Sequence, residues 1–170
     1  EDADSIRFTA ERLNIHAKIG AKIMMAKMPD GTLRTVHLQP RLSEDSQPIK
    51  LLMLFRPLHY DPAQRHESQS MDKGLAKRLV DSYVDNFDRE GFDSDDVEFA
   101  RQQIKELFGD AEEILLMPPE QVPNIAELAK HDPLLMEKVV RDYGSASEQA
   151  EKIKAALAAP VNPEARELGM

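Results

Sequence analysis

Cysteine and long apolar runs are missing from this 170-residue chain. Without cysteine the protein has no disulfide framework, no thiolate zinc site and no cysteine nucleophile. No apolar run approaches the roughly 18 residues that a membrane-spanning helix requires, so we expect no membrane span. Phosphate-loop, dinucleotide-binding, GxSxG, HExxH and kinase motifs are missing as well. We therefore expect no cofactor, and these absences favour a non-enzymatic protein while leaving an enzyme open.

The composition is typical of one folded domain. Hydrophobic residues make up 41% of the chain and charged residues 31%, and a chain of this length buries about 70% of its surface on folding. The sequence predicts a single α+β domain over residues 1–159, with a β-rich part at 1–57, a loop at 58–70 and a helical part at 71–159. Residues 160–170 are expected to form a flexible tail.

The beginning of the chain shows no targeting segment. It starts with Glu1 and lacks both a basic start and an apolar core. We expect either the processed form of an exported protein or one domain of a larger one. The compartment therefore stays open between a soluble cytoplasmic protein and one exported after processing.

The net charge of −9 is unevenly distributed. Residues 81–113 contain twelve acidic and three basic residues, so this segment alone carries −9. Residues 5–56 contain nine basic and four acidic residues and carry +5. The sequence thus predicts a dipolar molecule, which favours a charged protein partner or self-association. The overall acidity argues against nonspecific nucleic-acid binding.

An alternating apolar pattern predicts a long strand near the start of the chain. Every second residue from Leu13 to Met25 is apolar, which is typical of a half-buried strand. Asp30 and Gly31 then suit a two-residue hairpin turn, which places Met25 opposite Val36. We predict a strand over residues 13–28 with a bulge or bend near Gly20. A helix over residues 10–28 is the alternative interpretation.

The predicted hairpin has a basic face exposed to water and an unpaired half. The residues assigned to this face are His16, Lys18, Lys22, Met24, Thr35 and His37. The unpaired half of the strand must pair with a third strand at residues 49–56, with residues 5–10, or with another protein chain.

Helical periodicity begins after the loop. Met71, Leu75, Leu79, Tyr83 and Phe87 follow one another at steps of four, so residues 71–90 are predicted to form an amphipathic helix that ends at Gly91. The remaining predicted elements are a helix at 95–108 capped by Ser94 or Asp95, a short buried strand at 113–117, and helices at 125–130, 134–143 and 146–159.

Taken together, these patterns predict an α+β fold. An N-terminal antiparallel sheet, made of the long β-hairpin and the third strand, is expected to pack with one face against the C-terminal helices.

One loop contains residues suited to catalysis. His59, Asp61, His66 and Glu67 combine imidazole and carboxylate groups, which can bind zinc or transfer protons. Their spacing matches no metal-binding motif, so no metal site is predicted. These four residues are the catalytic candidates for an alternative function, a small metal-assisted hydrolase.

The leading hypothesis is a non-enzymatic protein-interaction or adaptor domain, which can be part of a larger or secreted protein. It would bind a protein partner or a second copy of itself through the exposed strand edge and the dipolar surface. The candidate partner-binding residues are His16, Lys18, Lys22, Met24 and His37. A third hypothesis is anion or nucleic-acid binding on the basic hairpin face, which requires steep salt dependence.

Overall fold

An antiparallel sheet followed by helices confirms the predicted α+β fold. The computed structural model describes residues 13–59, 61–123 and 125–137. The strands are β1 (Lys22–Lys27), β2 (Leu33–Thr35), β3 (His37–Gln39), β4 (Ile49–Leu51), β5 (Met53–Phe55), β6 (Gln69–Met71) and β7 (Glu113–Met117). The helices are α1 (Lys73–Arg89), α2 (Ser94–Asp110) and α3 (Ile125–Ala129), with short 3-10 helices at Pro62–Gln64 and Pro119–Gln121.

Strand β1 lies in the centre of a five-stranded sheet. One of its edges pairs with β7, and its other edge pairs with β5 at its beginning and with β2 at its end. Strand β6 pairs with the far edge of β7, and β3 and β4 form a separate two-stranded sheet. Because β1 is paired along both edges, it offers no free edge to a partner.

Helical segments cover both faces of this sheet, so the expectation that helices cover only one face is wrong. Met24 and Ala26 face a core that contains Val80 of α1 and Ile104 of α2. On the opposite face, Ile23 and Met25 pack in a second core with Leu128, Ala129 and Leu135. Alternate residues of β1 thus enter two different cores, and a strand buried on both faces reads as a continuous apolar run.

The first half of the predicted long strand is helical. Residues 13–18 form a helix, which ends where the amides of Gly20 and Ala21 donate to the carbonyls of Ala17 and His16. Gly20 has a φ of 80°, the left-handed conformation that this type of helix end requires. The glycine expected to bend a strand therefore ends a helix, and Ile15 and Ile19 are exposed rather than buried.

The hairpin has a three-residue loop rather than the predicted two-residue turn. Met28 and Thr32 close the loop through a backbone hydrogen bond, and Met25 pairs with Thr35 instead of Val36. Asp30 accepts hydrogen bonds from the amide and hydroxyl of Thr32. Gly31 has a φ of 83°, which matches a type I turn followed by a left-handed residue.

Replacing Gly31 by alanine is expected to cost about 1 kcal/mol of unfolding free energy, because a Cβ disfavours the left-handed conformation. No atom lies within 4 Å of the position that this Cβ would occupy, so the cost is conformational rather than steric. Chemical denaturation measures this change in unfolding free energy.

Gly109→Ala, which also has open space around the new Cβ but lies inside α2, is the control and is expected to stabilise the helix. Equal changes in unfolding free energy for Gly31→Ala and Gly109→Ala would contradict the left-handed conformation of Gly31.

The predicted basic face of the hairpin does not exist as an exposed surface. Lys22 and His37 are each 3% exposed, and Met24 and Thr35 are buried as well. The one-residue change in register, together with helices on both faces, accounts for this burial. His16 and Lys18 belong to the helical residues 13–18 and not to a strand.

Two further boundaries differ from the prediction. The third strand, expected at residues 49–56, is divided at Leu52 between β4 in the small sheet and β5 in the large one. The segment 58–70, expected to be a loop, contains a 3-10 helix and the first residues of β6.

The two long helices and the strand at 113–117 are confirmed. Helix α2 is capped by Asp93, whose side chain accepts from the amides of Asp95 and Asp96, and not by Ser94 or Asp95. The core face of α1 consists of Ala76, Val80, Val84 and Phe87. Leu75, Leu79 and Tyr83, which share the predicted four-residue spacing, lie outside that core.

Several predicted elements lie outside the described residues: the segment 5–10, most of the helix 134–143, the helix 146–159 and the tail 160–170. Residues 133–137 are helical. No helix in the described part of the chain is long and apolar enough to cross a membrane.

Candidate functional site

Two of the four catalytic candidates line a small cleft. His59 and Asp61 border a cavity of about 90 Å³ together with Lys22, Gln64 and Gln69. Asp61 is already engaged, because its Oδ1 accepts the amide of Ala63 at 2.9 Å and caps the 3-10 helix. We refer to this cavity, bordered by Lys22, His59 and Asp61, as the loop cleft.

The other two candidates, His66 and Glu67, are not among the residues that line this cleft. His66 Nδ1 lies 2.7 Å from Glu120 Oε1, and its Nε2 lies 3.3 Å from Arg65 Nε. Since Arg65 can only donate, Nε2 accepts and Nδ1 carries the proton that is donated to Glu120. Although burial raises the pKa of Glu120, the hydrogen bond from His66 lowers it below its usual value. His66 therefore has no free ring nitrogen to act as a base.

Lys22 joins the loop cleft to the sheet. Its Nζ donates a 2.6 Å hydrogen bond to the backbone carbonyl of Glu67. Burial lowers the pKa of Lys22, while the carboxylates of Glu67 and Glu120 partly offset this effect. Lys22, which was predicted to bind a partner, thus contacts Glu67, which was predicted to act in catalysis. This contact is structural, because it holds the loop against the sheet.

The residues of the loop cleft do not form a three-residue metal cluster within the described part of the chain. Within the described ranges, no three His, Asp or Glu side chains are close enough to hold a metal ion. His66 contacts Glu120, and Glu67 contributes its carbonyl to Lys22.

A second cavity, of about 170 Å³, is lined by charged side chains of both signs. Strand β2 supplies Arg34, strand β4 supplies Lys50, and helix α2 supplies Glu106 and Asp110. Asp132, which precedes the helical residues 133–137, completes the charged lining. We call this cavity the Asp132 pocket.

Asp132 caps the N-terminus of the helical residues 133–137, and this role fixes its position. Its Oδ1 accepts the amide of Leu135 at 3.3 Å, and its carbonyl accepts the amide of Met136. Pro133 occupies the first helical position, where the fixed φ of proline is favourable. This arrangement leaves Oδ2 directed at Lys50, whose Nζ lies 3.4 Å away.

The Lys50–Asp132 pair is buried on both sides, with side chains 8% and 6% exposed. Burial lowers the pKa of Lys50, and the nearby carboxylate of Asp132 opposes that shift. Lys50 also lies 3.5 Å from the carbonyl of Thr35. Each of these buried charges is stabilised by the other, since either one alone would carry a large desolvation cost.

His37 is buried beside this pair with neither ring nitrogen hydrogen-bonded. Its ring makes an edge contact with Tyr83 at a centroid distance of 4.6 Å and stacks on Phe87 at 6.2 Å. Burial, reinforced by the positive charge of Lys50, lowers the pKa of His37 from 6.5 to about 4. His37 is therefore neutral and part of an aromatic cluster, which makes it inaccessible to a partner.

A regular apolar feature on the described surface is a line of three side chains on α1. Leu75, Leu79 and Tyr83 are 43%, 38% and 47% exposed. They succeed one another at one-turn spacing along a single helix face. We call these three residues the α1 stripe.

The sequence contained a signal for the α1 stripe. Apolar residues occur in adjacent pairs at 75 and 76, 79 and 80, and 83 and 84. Such pairs widen the apolar arc of a helix to nearly half its circumference, which is more than one sheet face covers. Arg34, Lys50 and Asp132 had no such signal, because only the tertiary fold brings these distant positions together.

Comparisons with known proteins add no constraint on function. No protein-family model matches the sequence, and neither a curated protein nor a solved structure matches this chain.

Proposed function

We propose that this protein is a non-enzymatic interaction module that binds a basic amphipathic segment of a partner protein through the α1 stripe. The observation that carries this proposal is the exposure of Leu75, Leu79 and Tyr83 on one helix face. Exposed apolar side chains are ordinary when scattered, but an aligned set is typical of a docking surface.

The spacing of the α1 stripe suits a helical partner. Side chains one turn apart on one face are the anchors by which amphipathic helices pack against a groove or against each other. The ring of Tyr83 is amphipathic, and its edge contact with the buried ring of His37 restricts its orientation. Aromatic residues held in this way lose little conformational entropy on binding and are enriched among interface residues that dominate affinity.

The negative charge of residues 81–113, which run from the middle of α1 through α2, favours a basic partner over a second copy of this chain. Between residues 81 and 113, nine acidic side chains are exposed and only two basic ones. Part of this negative charge is neutralised internally, because Arg41 pairs with Asp96, Lys27 with Glu113, and Arg101 with Asp85 and Asp88. The remaining exposed carboxylates attract a positively charged segment and repel an identical acidic surface.

The interaction surface is therefore expected on α1 and not on a strand edge. Strand β1 is fully paired, and the strands at the edges of the large sheet, β2, β5 and β6, have three residues each. Very short edge strands are a common way of preventing edge-to-edge pairing.

A designed peptide tests the proposal directly. The probe is a labelled amphipathic helix made of leucine and lysine, and a peptide with glutamate in place of lysine is the counter-probe. Wild-type protein is expected to bind the lysine peptide saturably and the glutamate peptide far more weakly. Leu79→Gln is expected to weaken binding by at least about tenfold, which is typical for the loss of a central apolar anchor.

Leu58→Gln is the matched control, because Leu58 is 99% exposed in the loop that follows β5. It should leave the affinity unchanged, and both variants should keep the thermal midpoint within about 2 °C. Equal binding by wild type and Leu79→Gln would contradict the proposal. So would sedimentation showing a wild-type dimer that Leu79→Gln converts to monomer, since the occupant would then be a second copy.

A further inference from the structure

The geometry points to the Asp132 pocket as a binding site for a small zwitterionic molecule of the amino-acid type. Two charged side chains of opposite sign, the partly buried Arg34 and the buried Asp132, line this cavity, and each has one buried polar atom without a hydrogen-bond partner. Arg34 Nε has no acceptor, and Asp132 Oδ2 has no donor in hydrogen-bonding geometry. The inference does not depend on the α1 stripe.

Arg34 supplies the positive side of the site. Its Nε is buried and unpaired, a situation that carries a desolvation cost unless an acceptor arrives. The planar guanidinium presents parallel N–H donors that match the two oxygens of a carboxylate. The carboxylate end of a ligand therefore fits Arg34.

Asp132 supplies the negative side. Lys50 approaches Oδ2 to 3.4 Å, which is an ion-pair contact without hydrogen-bond geometry. An ammonium group offers three N–H donors in any direction and can satisfy this oxygen. Glu106 and Asp110 also line the cavity, add negative charge and favour the same positively charged group.

The charge balance and the size of the pocket together define the ligand class. The lining holds two basic side chains and three acidic ones, so a simple anion or a simple cation leaves half of the lining unmatched. The volume of about 170 Å³ is close to the cavity of about 150 Å³ that accommodates benzene. A nucleotide or a peptide is too large, whereas L-alanine has a suitable size.

Titration followed by amide chemical shifts tests this inference with three probes. L-alanine carries both charges, propionate carries the carboxylate alone, and ethylamine carries the ammonium alone. We expect saturable shifts with L-alanine at a dissociation constant on the order of 1 mM, which is typical for so small a ligand. Propionate and ethylamine are each expected to bind at least about tenfold more weakly, because each loses one charge-assisted contact.

Arg34→Gln removes the guanidinium, whose buried Nε has no hydrogen-bond partner, so the fold should persist. This variant is expected to bind L-alanine at least about tenfold more weakly. Arg56→Gln, an exposed arginine outside the pocket, is the control and should bind like wild type. The inference is overturned if L-alanine gives no saturable shift, if propionate binds as well as L-alanine, or if Arg34→Gln binds like wild type.

Discussion

Acidification from pH 6.5 to about pH 4 is expected to remove about 3 kcal/mol of unfolding free energy through His37 alone. The folded-state pKa of His37 is lowered from 6.5 to about 4, first by burial and second by the charge of Lys50. Between these values the unfolded chain binds a proton that the folded chain excludes. The contribution is thus complete above pH 6.5 and is lost as the pH falls toward 4.

The comparison of His37→Leu with wild type isolates this contribution from that of the carboxylates. Chemical denaturation between pH 4 and 7 should show a smaller pH dependence for His37→Leu, with the largest gain over wild type at pH 4. His59→Gln, which removes an exposed histidine of the loop cleft, should retain the wild-type dependence. If His37→Leu and wild type lost stability in parallel, His37 would not be buried as a neutral residue.

Lys50→Met is expected to destabilise the protein by about 3–5 kcal/mol, the range found when one partner of a buried ion pair is removed. The methionine fits the space of the lysine stem, but Asp132 is left as an unpaired buried carboxylate. Lys50 and Asp132 are both almost completely buried. The measurement is the unfolding free energy from chemical denaturation at neutral pH.

A double-mutant cycle separates the ion pair from ordinary packing. Asp132→Asn keeps the side-chain oxygen that caps residues 133–137, so Lys50→Met with Asp132→Asn is expected to be more stable than Lys50→Met alone. Lys27→Met is the surface control, because its pair with Glu113 is more than a third exposed on both sides and contributes less than about 1 kcal/mol. Additive effects in the cycle would contradict a coupled pair.

Much of the helical half was predictable because its patterns are long. The periodicity of α1 and α2 spans several turns, and the apolar run of β7 is followed directly by two prolines. The buried face of α1 was not predictable from four-residue steps alone, because such steps drift around the helix by about 40° each. Ala76 and Val80 enter the core, whereas Leu75 and Leu79 remain outside.

The N-terminal quarter was harder to predict because short patterns fit two structures. Alternating Leu, Ile and Ala suits a strand by period but also fits two turns of helix, and the conformation of Gly20 decides between them. The Asp30–Gly31 pair likewise fits either a two-residue or a three-residue loop. The register of the hairpin differs by one residue from the predicted one. This difference, together with packed cores on both faces of the sheet, buries the residues predicted to form a basic surface.

The central claim is that a basic amphipathic partner docks on the α1 stripe, and leucine methyl shifts test it most directly. With the methyl groups of leucine labelled, the leucine and lysine peptide should shift the signals of Leu75 and Leu79 saturably. The signals of the exposed Leu42 and Leu58 should stay in place. Saturable shifts at Leu42 or Leu58 with none at Leu75 and Leu79 would contradict the claim.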